Sequence, residues 1–317
     1  MKKTKKLKKK LTISIGIPAY NEEKNIKHLI QSLLEQKQRN FRLTEIIIVS
    51  DGSTDKTVSL VKSFKNSLIK LVINKKRIGQ QLCQNKILDI YKGEVLVLIE
   101  ADSLPDNQYS IAEAIQPFLN KKNLGMVRGL TIAIKPSNFF EKILFYGFNL
   151  KKKVFLRWKS GDNIYLCGGH TIRALSRRFT SKLRWPIHVP EDAYAYLYLK
   201  KLGLGLFLAK KSKSIMKNVS HPHDRLKQSK KFIGGKKSLE NYFPLNTLKK
   251  EYNIPKSLIM KAILEEIVKN PFWISLYLLE VLLNRLATGN TSGFNALYEP
   301  YFSSKKLISE EQLWLKK

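Results

Sequence analysis

The chain has 317 residues, 43% of them hydrophobic and 10% aromatic, which is enough apolar material for a sizeable core and excludes a disordered polymer. Lys and Arg number 58 against 25 Asp and Glu, a formal net charge of +33, so the partners to expect are anionic: nucleic acid, a membrane surface or phosphorylated small molecules. Only Cys83 and Cys167 are present, far apart, which excludes a disulfide framework and a cysteine metal cluster and leaves both as buried small hydrophobes.

The opening MKKTKKLKKK carries seven Lys in ten residues. The apolar stretch behind it, LTISIGIPAY, is too short for a signal peptide and runs straight into Asn21, Glu22 and Glu23, so the chain is expected to start in the cytoplasm. From residue 12 to about 135, short apolar runs at 13–17, 45–49, 70–73, 95–99 and 126–133 read as strands. Segments of helical period begin between them, near Glu22, Thr54, Ile78 and Tyr109. This alternation predicts βαβ units and a mostly parallel sheet. The runs are apolar throughout, as expected when helices cover both faces. Ligands of such sheets bind beyond the carboxyl ends of the strands, and the chemistry is to be sought there.

Beyond 135 a long helix is expected at 138–158, then a turn-rich segment SGDNIYLCGGHTIR, the stretch WPIHVPEDAYAYLYLKKLG and a basic stretch at 210–237. A further helix is expected from Lys256, with Leu258, Ile259, Ala262, Ile263 and Ile267 on one face and Lys261, Glu265 and Lys269 opposite. Pro271 opens PFWISLYLLEVLLNRLA, 17 residues containing Glu280 and Arg285. It is short for a membrane span and its charges are costly there, so it reads as an interfacial or core-docking helix, a single span being the alternative.

Three strand ends carry chemistry. The first delivers Pro18, Tyr20, Asn21 and Glu22 into a loop, where an aromatic face and an amide suit a nucleobase; Asn21 as a plain N-cap is the other reading. The second ends in Ser50-Asp51-Gly52-Ser53-Thr54-Asp55. Asp51 can accept hydrogen bonds from a base imide or ribose hydroxyl, and the same residues also make an ordinary turn and cap. The fourth, VLVLIEADS, ends in Glu100 and Asp102, which share a parity and so point the same way from extended chain. Two carboxylates there suit Mg²⁺ or Mn²⁺, which would neutralise a departing pyrophosphate; a solvated acidic loop is the alternative.

IPAYNEE, VSDGSTDKT, NKKRIGQQLCQNKIL, GEVLVLIEAD and the later PEDAYAY, in this order, resemble the family 2 glycosyltransferases, which have the GT-A fold. The resemblance covers 12–135 closely and 160–235 more loosely. It implies that Pro18, Tyr20, Glu22 and Asp51 contact the nucleotide. It likewise implies that Arg77 and Gly79 belong to a loop facing the donor, and that Asp102 is the metal-binding acid of the family's Asp-x-Asp motif. Glu100 stands at that motif's first acidic position, so this contact departs from the pattern. Glu191-Asp192, roughly 90 residues after Asp102, looks like the family's Glu-Asp pair, whose Asp is the catalytic base. A hydroxyl attacking an anomeric carbon loses a proton as the nucleotide leaves, and in-line attack inverts that carbon. The plainer reading of the pair is an acidic helix start.

Gln228-Ser-Lys-Lys231-Phe232 resembles a degraded Gln-x-x-Arg-Trp motif of processive members such as cellulose and hyaluronan synthases, with Lys for Arg and Phe for Trp. Those relatives carry several spanning helices that this chain lacks. Lys231 would set a cation over the diphosphate; a basic surface stretch explains the segment equally well. His221 and His223 either line the same site or are solvated. Cys167-Gly168-Gly169-His170 reads as a tight loop near the acceptor, its glycines permitting close backbone approach.

The expected organisation is a basic tail at 1–11, a GT-A domain at 12–240 and a helical, membrane-associating appendage at 241–317. The GT-A domain divides into a nucleotide-sugar half (12–135) and an acceptor half (136–240). The expected activity is inverting hexosyl transfer from a nucleotide sugar, a UDP-sugar with GDP as the alternative, to a glycan or lipid-linked acceptor. A polyprenyl-phosphate sugar synthase of the same fold, as in dolichol-phosphate mannose synthases, is the near alternative. A basic nucleic-acid-binding protein is the reading from another class, but no base-reading motif accompanies the lysines. A scaffold without turnover would leave Asp51, Asp102 and Asp192 unexplained. The basic ends and the 271–287 helix read instead as contacts to an anionic leaflet, where each Lys contributes about 1 kcal/mol, placing the enzyme peripherally at the cytoplasmic face.

Overall fold

A computed structural model describes residues 10–289, 301–304 and 307; nearly all of the lysine-rich tail at 1–11 and most of 290–317 lie outside the described residues. In chain order the elements are β1 (Leu11–Ala19), α1 (Ile26–Leu34), β2 (Phe41–Ser50), α2 (Thr57–Lys62), β3 (Ile69–Ile73), α3 (Gln80–Ile90), β4 (Val95–Leu98), β5 (Leu104–Pro105) and α4 (Ser110–Asn120). They continue with β6 (Leu124–Ala133), α5 (Phe139–Arg157), α6 (Ile164–Cys167), β7 (Arg173–Ser176), α7 (Arg177–Thr180), α8 (Glu191–Lys201), β8 (Gly205–Met216) and α9 (Pro222–Ser238). The last helices are α10 (Leu245–Tyr252), α11 (Lys256–Lys269) and α12 (Pro271–Thr288).

One eight-stranded sheet runs in the order β3-β2-β1-β4-β7-β6-β8-β5. β3, β2, β1 and β4 are parallel neighbours, as is the pair β6–β8. β7 runs antiparallel between β4 and β6, and β5 antiparallel on β8. The parallel half explains why its strands are apolar throughout. Ile46 and Ile48 enter the core beneath α1 and α4, while Ile47 and Val49 enter the opposite core beneath α3 and α8. Cys83 and Cys167 are buried and free in the second of these cores.

The sequence does not announce β7 and β8. β7 has four residues and begins with the buried Arg173, and β8 lies partly inside the expected basic stretch. β8 turns Lys210 and Lys211 outward while Ala209, Ser212 and Ser214 are buried, and the register shifts of its pairing with β6 accommodate this mixture.

Gly93, just before β4, sets the β1–β4 distance. A Cβ there would meet the Ser14 nitrogen at 2.5 Å and the Ile13 carbonyl carbon at 2.7 Å, both backbone atoms of a central strand. Neither can move without shifting the sheet. Gly93→Ala is expected to cost about 3 kcal/mol, the upper end for overpacking, read as a lowered thermal unfolding midpoint. An unchanged midpoint would show that the turn relaxes freely.

The expected helix from 138 is α5. It holds a third core with α11 and α12, in which Ile143, Leu150 and Val154 meet Ala262, Ile274 and Tyr277. The Tyr277 ring lies on Gly147, where any side chain would overlap it. Among the described residues no helix is long and apolar enough to cross a membrane, so the span considered at 271–287 is not present. The reason is visible at Glu280, which is largely buried beside Arg225 of α9 at 3.1 Å. That ion pair and the packing on α5 make α12 a docking helix. Glu265 also departs from expectation. It does not stand free opposite the apolar face but reaches Lys153 and Arg157 of α5 at 2.7 and 2.8 Å.

Candidate active site

The carboxyl ends of β1, β2 and β4 open on one edge of the parallel half, and the loops leaving them are locked together. Asn21 takes a left-handed backbone (φ 53°), and its side-chain oxygen accepts the Thr54 N–H at 2.8 Å. The Glu22 and Glu23 N–H groups donate to Thr57 Oγ1 and Asp55 Oδ2 at 2.8 and 3.0 Å. These contacts delay the helices by about one turn: α1 and α2 begin at Ile26 and Thr57, beyond the expected Glu22 and Thr54. Pro18 is half-buried opposite Val49, and the buried Glu22 accepts from Asn25 Nδ2 at 2.9 Å.

Asp51 is buried and fully engaged. Its Oδ1 accepts from the Ile78 N–H at 2.7 Å and from Asn74 Nδ2 at 3.1 Å, and its Oδ2 accepts from the Gly79 N–H at 2.9 Å. Gly52 (φ 69°) permits this approach, since a Cβ there would meet the Arg77 nitrogen at 2.8 Å. Asp51 therefore holds the 77–79 loop against β2, with Gly79 (φ 96°) opening α3. The loop in turn sets the Arg77 guanidinium over the Tyr20 ring, 4.0 Å from its centre.

Glu100 and Asp102 converge as their shared parity implies. His170 Nδ1 lies 3.0 Å from Asp102 Oδ1 and 3.2 Å from Glu100 Oε2. The donor atoms of the three residues all lie within 4.8 Å of one another. Burial lowers the affinity of His170 for a proton, but the two carboxylate charges outweigh it and push the imidazole up to about 10. The Ser214 hydroxyl donates to the His170 carbonyl and fixes the loop on β8.

The residue before His170 points to the second acidic pair. The Gly169 N–H donates to Asp192 Oδ2 at 3.2 Å, and a Cβ on Gly168 would stand 2.9 Å from the same oxygen. Asp192 Oδ1 accepts the Ala193 N–H at 2.6 Å, at the start of α8. Glu191 is buried and accepts from Gln80 Nε2 at 3.0 Å, while Gln81 Nε2 donates to the Val189 carbonyl at 2.6 Å. The opening of α3 is thus tied to the opening of α8. Burial and the Asp192 charge raise the Glu191 carboxyl, against the cations Lys231 and Arg173. Lys231, half-buried on α9, also acts on His170.

Residues 14–184 match the model of Glycosyl transferase family 2, more than half of the chain. The chain belongs to glycosyl transferase family 2. Among curated relatives it is similar to a dolichyl-phosphate beta-glucosyltransferase of Dictyostelium discoideum, 28% identical over 44% of this chain and 47% of that one. It is also similar to a poly(ribitol-phosphate) beta-glucosyltransferase of Bacillus spizizenii, 28% identical over 42% of this chain and 22% of that one. These matches span less than half the length of the relatives. Among solved structures, a Pyrobaculum calidifontis mannosyltransferase in complex with GDP-Man and Mn²⁺ superposes with a TM-score of 0.58 at 18% identity, over 89% of this chain and 76% of that one. A Mycobacterium tuberculosis glucosyl-3-phosphoglycerate synthase gives 0.51 at 19% identity, over 77% and 80%. The fold is that of the GT-A transferases.

In this family 2 chain the sequence motifs lead to every strand end described above, but not to His170. Its CGGH context suggests a tight loop near the acceptor, and nothing in the intervening sequence links it to Asp102, 68 positions away. Gln80 and Gln81 are missed in the same way, as polar residues inside a helical run. His221 and His223 are not part of the acidic cluster; they are exposed beside a shallow depression shared with Pro222, Asp224 and Ser303. Gln228 accepts from Arg225 Nη1 at 3.1 Å, and Phe232 stacks loosely on Tyr165 at 6.4 Å.

Proposed function

We propose that this enzyme transfers a hexose with inversion from a nucleotide diphosphate sugar, a UDP-sugar by preference, to the hydroxyl or phosphate of a lipid-linked or glycan acceptor. The observation that carries it is one short loop: consecutive residues Gly169 and His170 touch Asp192 and Asp102, which supports a base and a metal-diphosphate site held side by side. Pro18, Tyr20, Glu22, Asp51, Arg77 and Gly79 form the nucleotide side. There Tyr20 and Arg77 offer stacking and charge, and Asp51 acts chiefly by holding the 77–79 loop.

In the reaction a hydroxyl acceptor attacks the anomeric carbon through its oxygen, its proton passes to Asp192, and the bond to the diphosphate breaks with its electron pair on the leaving oxygen. A phosphate acceptor attacks as its anion and gives up no proton. Glu191, buried against Gln80, orients Asp192 and ties it to the donor loop. Lys231 adds positive charge on the diphosphate side. The donor set of Glu100, Asp102 and His170, two carboxylates and an imidazole within 4.8 Å, fits Mn²⁺ or Mg²⁺. A bound ion would supply Lewis-acid neutralisation of the leaving diphosphate. The UDP preference is supported by a relative from Escherichia coli named a UDP-Glc:alpha-D-GlcNAc-diphosphoundecaprenol beta-1,3-glucosyltransferase, 32% identical over 29% of this chain and 35% of that one. Names of this kind also support the lipid-linked acceptor, and the net charge of +33 supports a peripheral position on the cytoplasmic side of an anionic membrane. We take the transferase domain to run from 12 past 240, with the appendage beginning at α11, because Phe243, Leu248 and Tyr252 are buried in the same core as α8.

Thermal stabilisation by UDP and GDP, each with and without Mn²⁺, tests this reading on wild type and Asp102→Ala. A Mn²⁺-dependent rise with UDP that the variant loses is expected. A rise only with GDP would reverse the donor assignment. No rise under any combination in folded protein would remove the donor site.

A further inference from the structure

The α11–α12 hairpin sorts its side chains by charge. It contains three carboxylates, and all three face the enzyme. Glu265 and Glu266 pair with Lys153 and Arg157 of α5, and Glu280 pairs with Arg225 of α9. Its cations Lys256, Lys261, Lys269 and Arg285 are all exposed. Between them the outward faces are apolar. Leu264 and Val268 on α11, and Phe272, Leu279, Leu283 and Leu286 on α12, are each at least half exposed. Nine of the 17 exposed large apolar side chains among the described residues lie on these two helices. Soluble surfaces seldom gather so many in one place without an occupant.

An apolar face edged with cations and cleared of carboxylates matches one environment closely, the boundary between anionic headgroups and acyl chains. A second copy of the chain fits poorly, since each copy carries a net charge of +33 and like charges repel. We infer that α11 and α12 lie in the surface of an anionic bilayer, with the apolar side chains inserted and Lys261, Lys269 and Arg285 at the lipid phosphates.

The surface joins the site through α9, which carries both Arg225, the partner of Glu280, and Lys231, whose charge reaches Glu191 and His170. Seating the hairpin would therefore present the cleft to an acceptor held in the same bilayer. That consequence rests on the lipid-linked reading proposed above, whereas bilayer binding itself does not.

Flotation of the full chain with vesicles of phosphatidylcholine, alone or mixed with phosphatidylglycerol, tests the assignment. Three proteins are compared: wild type, Leu264→Glu with Leu283→Glu, and Lys261→Glu with Arg285→Glu. Wild type is expected to float with the mixed vesicles and far less with the neutral ones. Each double variant is expected to lose on the order of tenfold or more in binding, while keeping its unfolding midpoint and its Mn²⁺-dependent nucleotide shift. Retained nucleotide shifts in non-floating variants separate the bilayer surface from the transferase site. Absence of wild-type flotation, equal flotation on both lipids, or undiminished binding in the variants would each overturn the assignment. So would a wild-type dimer that the leucine variant dissociates, which would give the face to a second copy.

Discussion

Asp192→Asn is expected to lower kcat for sugar transfer by about 10³-fold, the middle of the range for losing a positioned general base, with little change in donor affinity. Asparagine keeps the shape and can accept the Gly169 N–H through its carbonyl oxygen, at the cost of the Ala193 N–H contact at the start of α8, so the loop and His170 should stay in place. What is lost is the site for the acceptor's proton. Glu191→Gln provides the contrast. The amide oxygen can still accept from Gln80, and the expected loss is roughly tenfold, because a positioning residue affects orientation and not the proton's destination.

The pH profile separates the two roles. The base must be ionised, so activity falls as pH drops through its pKa. Burial and the Asp192 charge raise Glu191, so if Glu191 were the base, the acid limb would lie above the ordinary carboxylate range. Asp192→Asn removes one of those causes and would shift such a limb downward while leaving substantial activity. A large kcat loss in Asp192→Asn with the limb carried by wild type alone supports Asp192. The reverse pattern gives the proton to Glu191.

The parallel half of the fold was legible in the sequence because each strand is buried on both faces, which leaves an unbroken apolar run such as IIIV at 46–49. The site was legible where a strand end delivers it, as for Tyr20, Asp51, Glu100 and Asp102. It was hidden where tertiary closure delivers it. β7 and β8 return the chain to the sheet edge with mixed polarity, and it is that return which carries His170 to Asp102 and Gly169 to Asp192. Local pattern holds no trace of a contact between residues 68 apart. The 271–287 segment reads as a docking helix with a span as the alternative, and tertiary structure removes the alternative. Its composition approaches that of a span, and only the partner Arg225 on α9 reveals why Glu280 is tolerated.

His170→Ala is expected to weaken Mn²⁺ binding by about 100-fold, at the upper end for residues that hold a metal site in order, measured by titration of the purified chain in the presence of UDP. His170 would then have two roles that compete, partner of the carboxylates and ligand of the metal. Without metal, the imidazole between Asp102 and Glu100 is pushed up to about 10, so at neutral pH it is a cation standing where a metal would neutralise the same carboxylates. Its folded value lies above the unfolded one, so its contribution to stability is fully present below about 6.5. That contribution fades as pH rises toward about 10. Metal-free wild type should therefore lose stability across that window, and His170→Ala should flatten the loss. With metal, the ring must give up its proton to act as a ligand, so Mn²⁺ binding by wild type should strengthen as pH rises through the same window. The variant should show the weaker and flatter dependence of two carboxylates alone. Unchanged Mn²⁺ affinity in His170→Ala, with the stability effect intact, would leave the histidine as the counter-ion of the empty acidic pair and assign the metal to Glu100 and Asp102 without it.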